Sequence, residues 1–448
     1  MNRKTLTIIA LVIILILMGV GAYFFYFKKV PTTQVPTRAF PGEGLPITGI
    51  PGVGTSEREG EEFIPGGAAP LPRLYELHKL PVAGAGFTEI KDRKGAVTNV
   101  ATRYIERGLG HIYETPLSTY TESRIVNETR SRLSEAIWGN NGKSVVIRSF
   151  DNGDGAIKTS VLNITAPAVS FAQGTTTDGF LNAEEVMFPD FIPFMAVSED
   201  GTDKLFYLEN GALASAGSLS TFKNIGVTGI FTSSFTEWLP QFPNQKLVTL
   251  TTKPSSKVLG HLFFLDTKTK SLTKILSGIS GLTTQTSRDG NMVLYAEIRE
   301  GLPELAVYDV VKKETRQIAL QTLPEKCVWS TKSIVVYCAV PQTLPKAEYP
   351  DQWYQGLLSF SDDIWKIDTK TGVTEKVLTP SDLRASSLDM INLTLSSDDT
   401  YLLFMNKVTG TPWVFRTAPD APVVASTAPV VVPGEPTPSV TEGMQKIR

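Results

Sequence analysis

Cys327 and Cys338 are the only cysteines in the chain, and the ten residues between them have Lys332 and Ser333 at their centre. If those two form a turn, the cysteines fall opposite each other on antiparallel strands, near enough for a disulfide. The other reading is two buried thiols acting as small hydrophobes. Export of the chain, argued below, favours the disulfide.

A second group lies just beyond, between Pro341 and Ser361, where Tyr349, Trp353, Tyr354 and Phe360 are followed by Asp362 and Asp363. Aromatic side chains on a long loop of a rigid scaffold can serve as a platform for a glycan or a peptide, with the two carboxylates as polar contacts. The same residues can instead form a small satellite core covering a sheet edge, and both readings stand at this level. Glu184, Glu185 and Asp190 form an acidic group that could do acid/base work in a glycosidase, although solvated loop charges look the same. Asp151-Asn-Gly-Asp-Gly155 has the oxygens for calcium but lacks the distal bidentate glutamate, so a hairpin turn is favoured.

Other chemistry is excluded by composition. Three separated histidines, His78, His111 and His261, and two cysteines cannot build a zinc cage. No Gly-x-Ser-x-Gly elbow, phosphate loop or His-Glu-x-x-His segment occurs, and no signature of a bound cofactor is present. A formal charge of −2, with both signs interspersed, points away from nucleic acid as a partner.

The elements that must position these residues are short. Between residues 86 and 416 the chain reads as runs of four to seven Val, Ile, Leu, Phe and Tyr residues separated by polar turns, an all-β pattern. A weak repeat orders them. Ser198-Glu-Asp-Gly201, Ser287-Arg-Asp-Gly290 and Ser396-Ser-Asp-Asp399 each precede an apolar strand, and Trp138, Trp238 and Trp329 mark a variant start. Strands ending at Asp266, Asp309 and Asp368 run into Thr/Lys-rich turns, where each carboxylate can accept local backbone N–H bonds. These aspartates therefore read as turn caps.

Units begin near Val97, Ser134, Phe194, Phe235, Thr284, Lys326 and Ile391, giving seven blades of a β-propeller, with six or eight as alternatives. The last unit offers only three strands, and Gly86-Phe-Thr-Glu-Ile90 is the candidate for the fourth, closing the ring and removing its open edges.

Outside the ring, residues 5–27 are uncharged and dominated by Ile, Leu and Val. As a helix they would reach about 34 Å, enough to cross a hydrocarbon layer of about 30 Å. The aromatic end of the run, followed by Lys28 and Lys29, resembles an interfacial belt. Val20-Gly-Ala22 also offers a cleavage point, but five apolar residues follow it, which favours an uncleaved anchor within 1–29. Residues 30–72 are rich in Pro and Gly and read as a disordered tether of about 36 Å coil dimension. Residues 73–416 are the propeller, and 417–448 a disordered Pro/Ala/Val-rich tail. The expected location is the cell membrane, single-pass through residues 5–27 in the bilayer, with the main domain on the extracytoplasmic side.

The Ser-x-Asp-Gly turn, the apolar strand and the Ile364-Trp-Lys-Ile-Asp-Thr-Lys-Thr-Gly372 cadence resemble TolB-like and WD-repeat-like propellers of exported bacterial proteins. Arg103-Tyr-Ile-Glu-Arg107, Gly110-His-Ile-Tyr113, Glu135-Ala-Ile-Trp138 and Tyr349-Pro-Asp-Gln-Trp-Tyr-Gln-Gly356 resemble uncharacterised membrane-anchored proteins of candidate-phylum bacteria. The resemblance spans about residues 71–416 and implies the fold, with no catalytic residue to carry over. The function expected is a binding or scaffolding module for an envelope protein or polysaccharide. The alternative is an envelope glycan hydrolase or lyase with carboxylates at the channel.

Overall fold

The computed structural model of the protein describes residues 71–419, apart from 93, 95, 151–156, 167–178 and 212. The apolar segment at 5–27, nearly all of the tether and tail, and the Asp151 to Gly155 turn lie outside the described residues. Among the described residues no helix is long and apolar enough to cross a membrane.

The described chain is a seven-bladed β-propeller. Each of its seven sheets has four antiparallel strands. Blade 1 begins at Val82–Lys91, blade 2 at Leu133–Gly139, blade 3 at Met195–Val197 and blade 4 at Trp238–Asn244. Blades 5, 6 and 7 begin at Thr283–Thr286, Cys327–Trp329 and Met390–Leu395. In blades 1 to 6 strands pair with their neighbours in sequence, through short hairpins except for the long connections at 166–181 in blade 2 and 342–361 in blade 6.

The core explains why the strands carry continuous apolar runs in place of a strict alternation. Both faces of each sheet are covered by the next sheet, so successive side chains on a strand are buried on opposite sides. Val145 packs toward blade 1 and Val146 toward blade 3. Leu402 and Leu403 likewise divide between blades 6 and 1. Seven hydrophobic clusters result, one between each pair of adjacent blades, and an eighth lies under the 342–361 segment.

Closure differs from the expectation in one respect. The fourth strand of blade 7 is Leu74–Glu76, which pairs antiparallel with Pro412–Arg416 through Leu74 to Phe415 and Glu76 to Trp413. Residues 86–90 belong instead to the innermost strand of blade 1, hydrogen-bonded to Val97–Glu106. Blade 1 therefore starts at Val82, one strand before the unit start read at Val97. The misleading feature was Val82-Ala-Gly-Ala-Gly86, whose small residues are poor strand formers. They are small because the inner strands crowd together: a Cβ at Gly84 would stand 1.9 Å from the Ala136 carbonyl oxygen of blade 2.

The closing strand is clamped by blade 1. Tyr75 stacks on Tyr120 at 4.5 Å, and His78 Nδ1 lies 2.8 Å from the Glu122 carboxylate, which also accepts the Tyr104 hydroxyl at 2.7 Å.

Candidate functional site

Links from blade to blade gather around the first turns. Gln245 N–H donates to Asp200, Asn244 to the Arg288 carbonyl and Asp289 N–H to the Ser333 hydroxyl. Thr331 N–H donates to Asp399 and the Ser397 hydroxyl to Glu89, while Arg103 reaches the Gly142 carbonyl at 2.9 Å. The Asn141 amide fills the space over Gly201. Seven links thus join seven blades at one end of the ring, called here the turn face. The predicted caps sit on the same face: Asp266 accepts from Lys268 and Thr269, Asp309 from Val311 and Lys312, and Asp368 from Lys370 and Thr371.

A channel of about 710 Å³ runs along the inner strands. Its charged lining is Glu89, Glu135, Glu199, Asp200 and Arg288. Glu89 pairs with Lys91 and Glu135 with Arg148. Burial pushes the Glu199 carboxyl from its ordinary 4.5 up to about 7, against the pull of the Arg288 guanidinium. A carboxyl titrating near neutrality in a cleft is suited to proton transfer.

Such a raised value burdens the folded state only where the carboxyl is ionised. The cost is present above pH 7, fades between 7 and 4.5, and is absent below. Glu199→Gln is therefore expected to raise stability by about 2 kcal/mol at pH 8.5, allowing for water in the channel, and not at pH 4. Denaturant titrations of both proteins at the two pH values measure this, and an equal offset at each pH would refute it.

The opposite end, the loop face, carries the 342–361 segment between the second and third strands of blade 6. It is a strap lying across four blades. Asp351 Oδ2 accepts from the Ser256 N–H of blade 4 at 2.7 Å, and Ala347 N–H donates to the Gly301 carbonyl of blade 5. The Lys407 ammonium of blade 7 donates to the Trp353 and Leu358 carbonyls, both at 3.0 Å, and lies 4.7 Å over the Trp353 ring. The Tyr354 hydroxyl donates to Glu325 of the blade 6 entry loop.

Under the strap a charged group is wholly buried. Lys326 Nζ is 2.8 Å from Asp362 and 2.6 Å from Asp389, with all three side chains at 0% exposure. Asp362 also accepts from Met390 N–H and Asp389 from Phe360 N–H. Burial lifts the Asp362 carboxyl to about 6, opposed by the adjacent Lys326 charge. Such a cluster fixes geometry, since Lys326 is the one cation bonded to both carboxylates and only the more distant Lys407 ammonium also acts on them.

The residues singled out from sequence fall into distinct environments. Tyr349, Trp353 and Phe360 pack with Leu323 in the eighth cluster, against Ile298 of blade 5 and Ile391 of blade 7. Asp362 belongs to the buried charged group, and Asp363 pairs with Gln342 and Lys376 at the blade edge. Of these residues only Tyr354 is well exposed, at 40%, and nearby Leu357 is exposed at 68%.

Cys327 and Cys338 are directly opposed on the first two strands of blade 6, with Cα atoms 4.0 Å apart and sulfurs bonded. Glu184 and Glu185 stand on the outermost strand of blade 2 and so face opposite sides of that sheet, while Asp190 pairs with Lys158. They do not converge. Among the described residues no group of three or more His, Cys, Asp or Glu side chains could hold a metal.

From the sequence Lys326 stood only as a unit start and Glu199 and Arg288 only as turn residues, and Asp389 and Lys407 were not singled out. Asp389 alone left a signal, a carboxylate between Leu388 and Met390.

No protein-family model and no curated protein matches the chain. Solved structures similar to it include an oligogalacturonate lyase in complex with manganese, at 10% identity and TM-score 0.46, covering 78% of this chain and 98% of that one. The oligogalacturonate lyase of Vibrio parahaemolyticus is 9% identical, covers 77% of this chain and 93% of its own, and has TM-score 0.49. TolB from Acinetobacter baumannii is 12% identical with TM-score 0.40, over 74% and 79% of the two chains. The blade count rests on the strand register described above, and no ligand or reaction passes from these proteins to this chain.

Proposed function

We propose that the protein is a membrane-tethered, extracytoplasmic binding module that presents its loop face to a protein or polysaccharide partner at the cell envelope. The observation that supports this most directly is the strap. A segment joined to blades 4, 5, 6 and 7 holds Tyr354 and Leu357 outward on a fixed base, so little ordering entropy remains to be lost on binding. Exposed aromatic and aliphatic groups on a preorganised rim are the residue types that anchor interfaces.

The test is capture of envelope proteins and polysaccharides by the full chain beside its Tyr354→Ser/Leu357→Ser variant. The variant is expected to retain its melting temperature within a few degrees and to lose at least tenfold in captured material. Equal capture by both refutes this face.

Glu199 favours a second reading, in which carboxylate chemistry in the channel acts on a glycan. Product release from envelope polysaccharides that disappears in Glu199→Gln supports that reading. Release unaffected by the substitution removes it.

A further inference from the structure

We propose that the turn face of blades 4 to 6 rests on an anionic lipid surface, which leaves the loop face pointing outward. The inference builds on the tethered reading above and adds the side of the ring that meets the bilayer.

Two independent observations support it. The first is where the described chain begins and ends. Arg73 and Arg416 are joined by a backbone hydrogen bond, and the Thr417 hydroxyl donates to the carbonyls of Asp399 and Thr400 in the first turn of blade 7. The 70 residues before the described region and the 29 after it therefore both leave from the turn face. Residues 5–27, the candidate bilayer segment, lie on the first of these.

The second observation is charge. The outer turns of blades 4, 5 and 6 carry Lys268, Lys270, Lys312, Lys313 and Lys370, and Lys246 lies on the first turn of blade 4, all exposed. The carboxylates of the same turns, Asp266, Asp309 and Asp368, stay ionised because backbone N–H bonds hold their pKa values below the usual range, and Asp309 pairs with Lys312 at 3.4 Å, so six lysines stand against three carboxylates. On the loop face the same blades carry Glu237, Glu300, Glu348 and Asp351 against exposed Lys346, with Lys253, Lys257 and Arg299 paired to Glu237, Glu348 and Glu297, which leaves a small negative balance. The two faces of this sector thus differ in sign. A tether holds the domain at high local concentration near the bilayer, so several lysines suffice for contact. Each lysine near an anionic leaflet strengthens association by about fivefold.

The full chain is reconstituted into vesicles of phosphatidylcholine alone or with about one third phosphatidylglycerol, and labelled with a membrane-impermeant lysine-acylating reagent. Lys268, Lys312, Lys313 and Lys370 are expected to react at least fivefold more slowly in the anionic vesicles, while Lys253 and Lys257 are unchanged. At 1 M salt, where screening shortens to about 3 Å, the protection should vanish. The Lys268→Gln/Lys312→Gln/Lys313→Gln/Lys370→Gln variant should lose protection of Lys246 as well.

Equal reactivity in both vesicles, or protection of the loop-face lysines instead, overturns the proposal. Carbonate washing separates it from the tether: a chain that stays in the vesicles without lysine protection refutes the surface contact alone. A chain that washes off yet shows protection refutes the tether alone.

Discussion

Lys326→Met is expected to destabilise the protein by about 3–5 kcal/mol, because it leaves Asp362 and Asp389 in a water-free site with no cation bonded to them and only the more distant Lys407 acting on both. The methionine fills most of the volume, so the loss is electrostatic and not a cavity effect. Asp362 already holds its proton up to about pH 6 with Lys326 in place, and its value must rise further when that charge is gone. The deficit should therefore be largest near pH 8 and shrink toward pH 5, where a neutral acid replaces the buried anion.

Denaturant unfolding of the variant and the parent at both pH values measures it. A deficit that stays constant with pH would show that packing, and not charge, holds the strap. The companion variant Lys326→Met/Asp362→Asn/Asp389→Asn should recover much of the lost stability, since uncharged partners remove the uncompensated ions. Its failure to do so would assign the loss to the hydrogen bonds at Met390 and Phe360 N–H.

The second large effect is expected at Gly84. Replacement by valine places a branched side chain where even a Cβ would lie 1.9 Å from a backbone oxygen of blade 2. Backbone cannot rotate aside as a side chain can, so blades 1 and 2 must separate at their inner edge. The cluster between them, which includes Ala83, Ala136 and Val145, then loses contact. A cost of about 3 kcal/mol or more follows.

The same substitution at Gly211, whose Cβ position has no neighbour nearer than 3.5 Å, is the control and should cost much less. Thermal unfolding of the two variants compares them directly. Similar melting temperatures would mean that the inner strands have more room than the structure gives them.

Much of the architecture was legible along the chain. Seven units, the hairpin turns and their capping aspartates follow from neighbours a few residues apart. Asp266, Asp309 and Asp368 each bond the backbone two and three residues on, an interaction that belongs to the turn itself. The opposition of Cys327 and Cys338 is local in the same sense, set by one hairpin.

Closure was harder to read, because the pairing of Leu74 with Phe415 joins opposite ends of the domain and neither strand records it. The small residues of 82–86 concealed a strand for a related reason. Their size answers to a neighbouring blade and not to their own sheet.

The charged group under the strap marks the limit most clearly. Lys326 and Asp389 are separated by 63 residues, and a lysine before Cys327 looks like any solvated lysine until the strap covers it. The aromatic residues at 349–360 were visible as a group, but composition alone left them equally a ligand platform or a satellite core. Only the packing against Ile298 and Ile391 places Tyr349 and Trp353 inside and leaves Tyr354 out. Local order of side chains determined strand, turn and repeat, since those depend on contacts within one hairpin. Burial, charge pairing and the sidedness of the ring depend on which distant segments exclude water together, and that was decided in three dimensions.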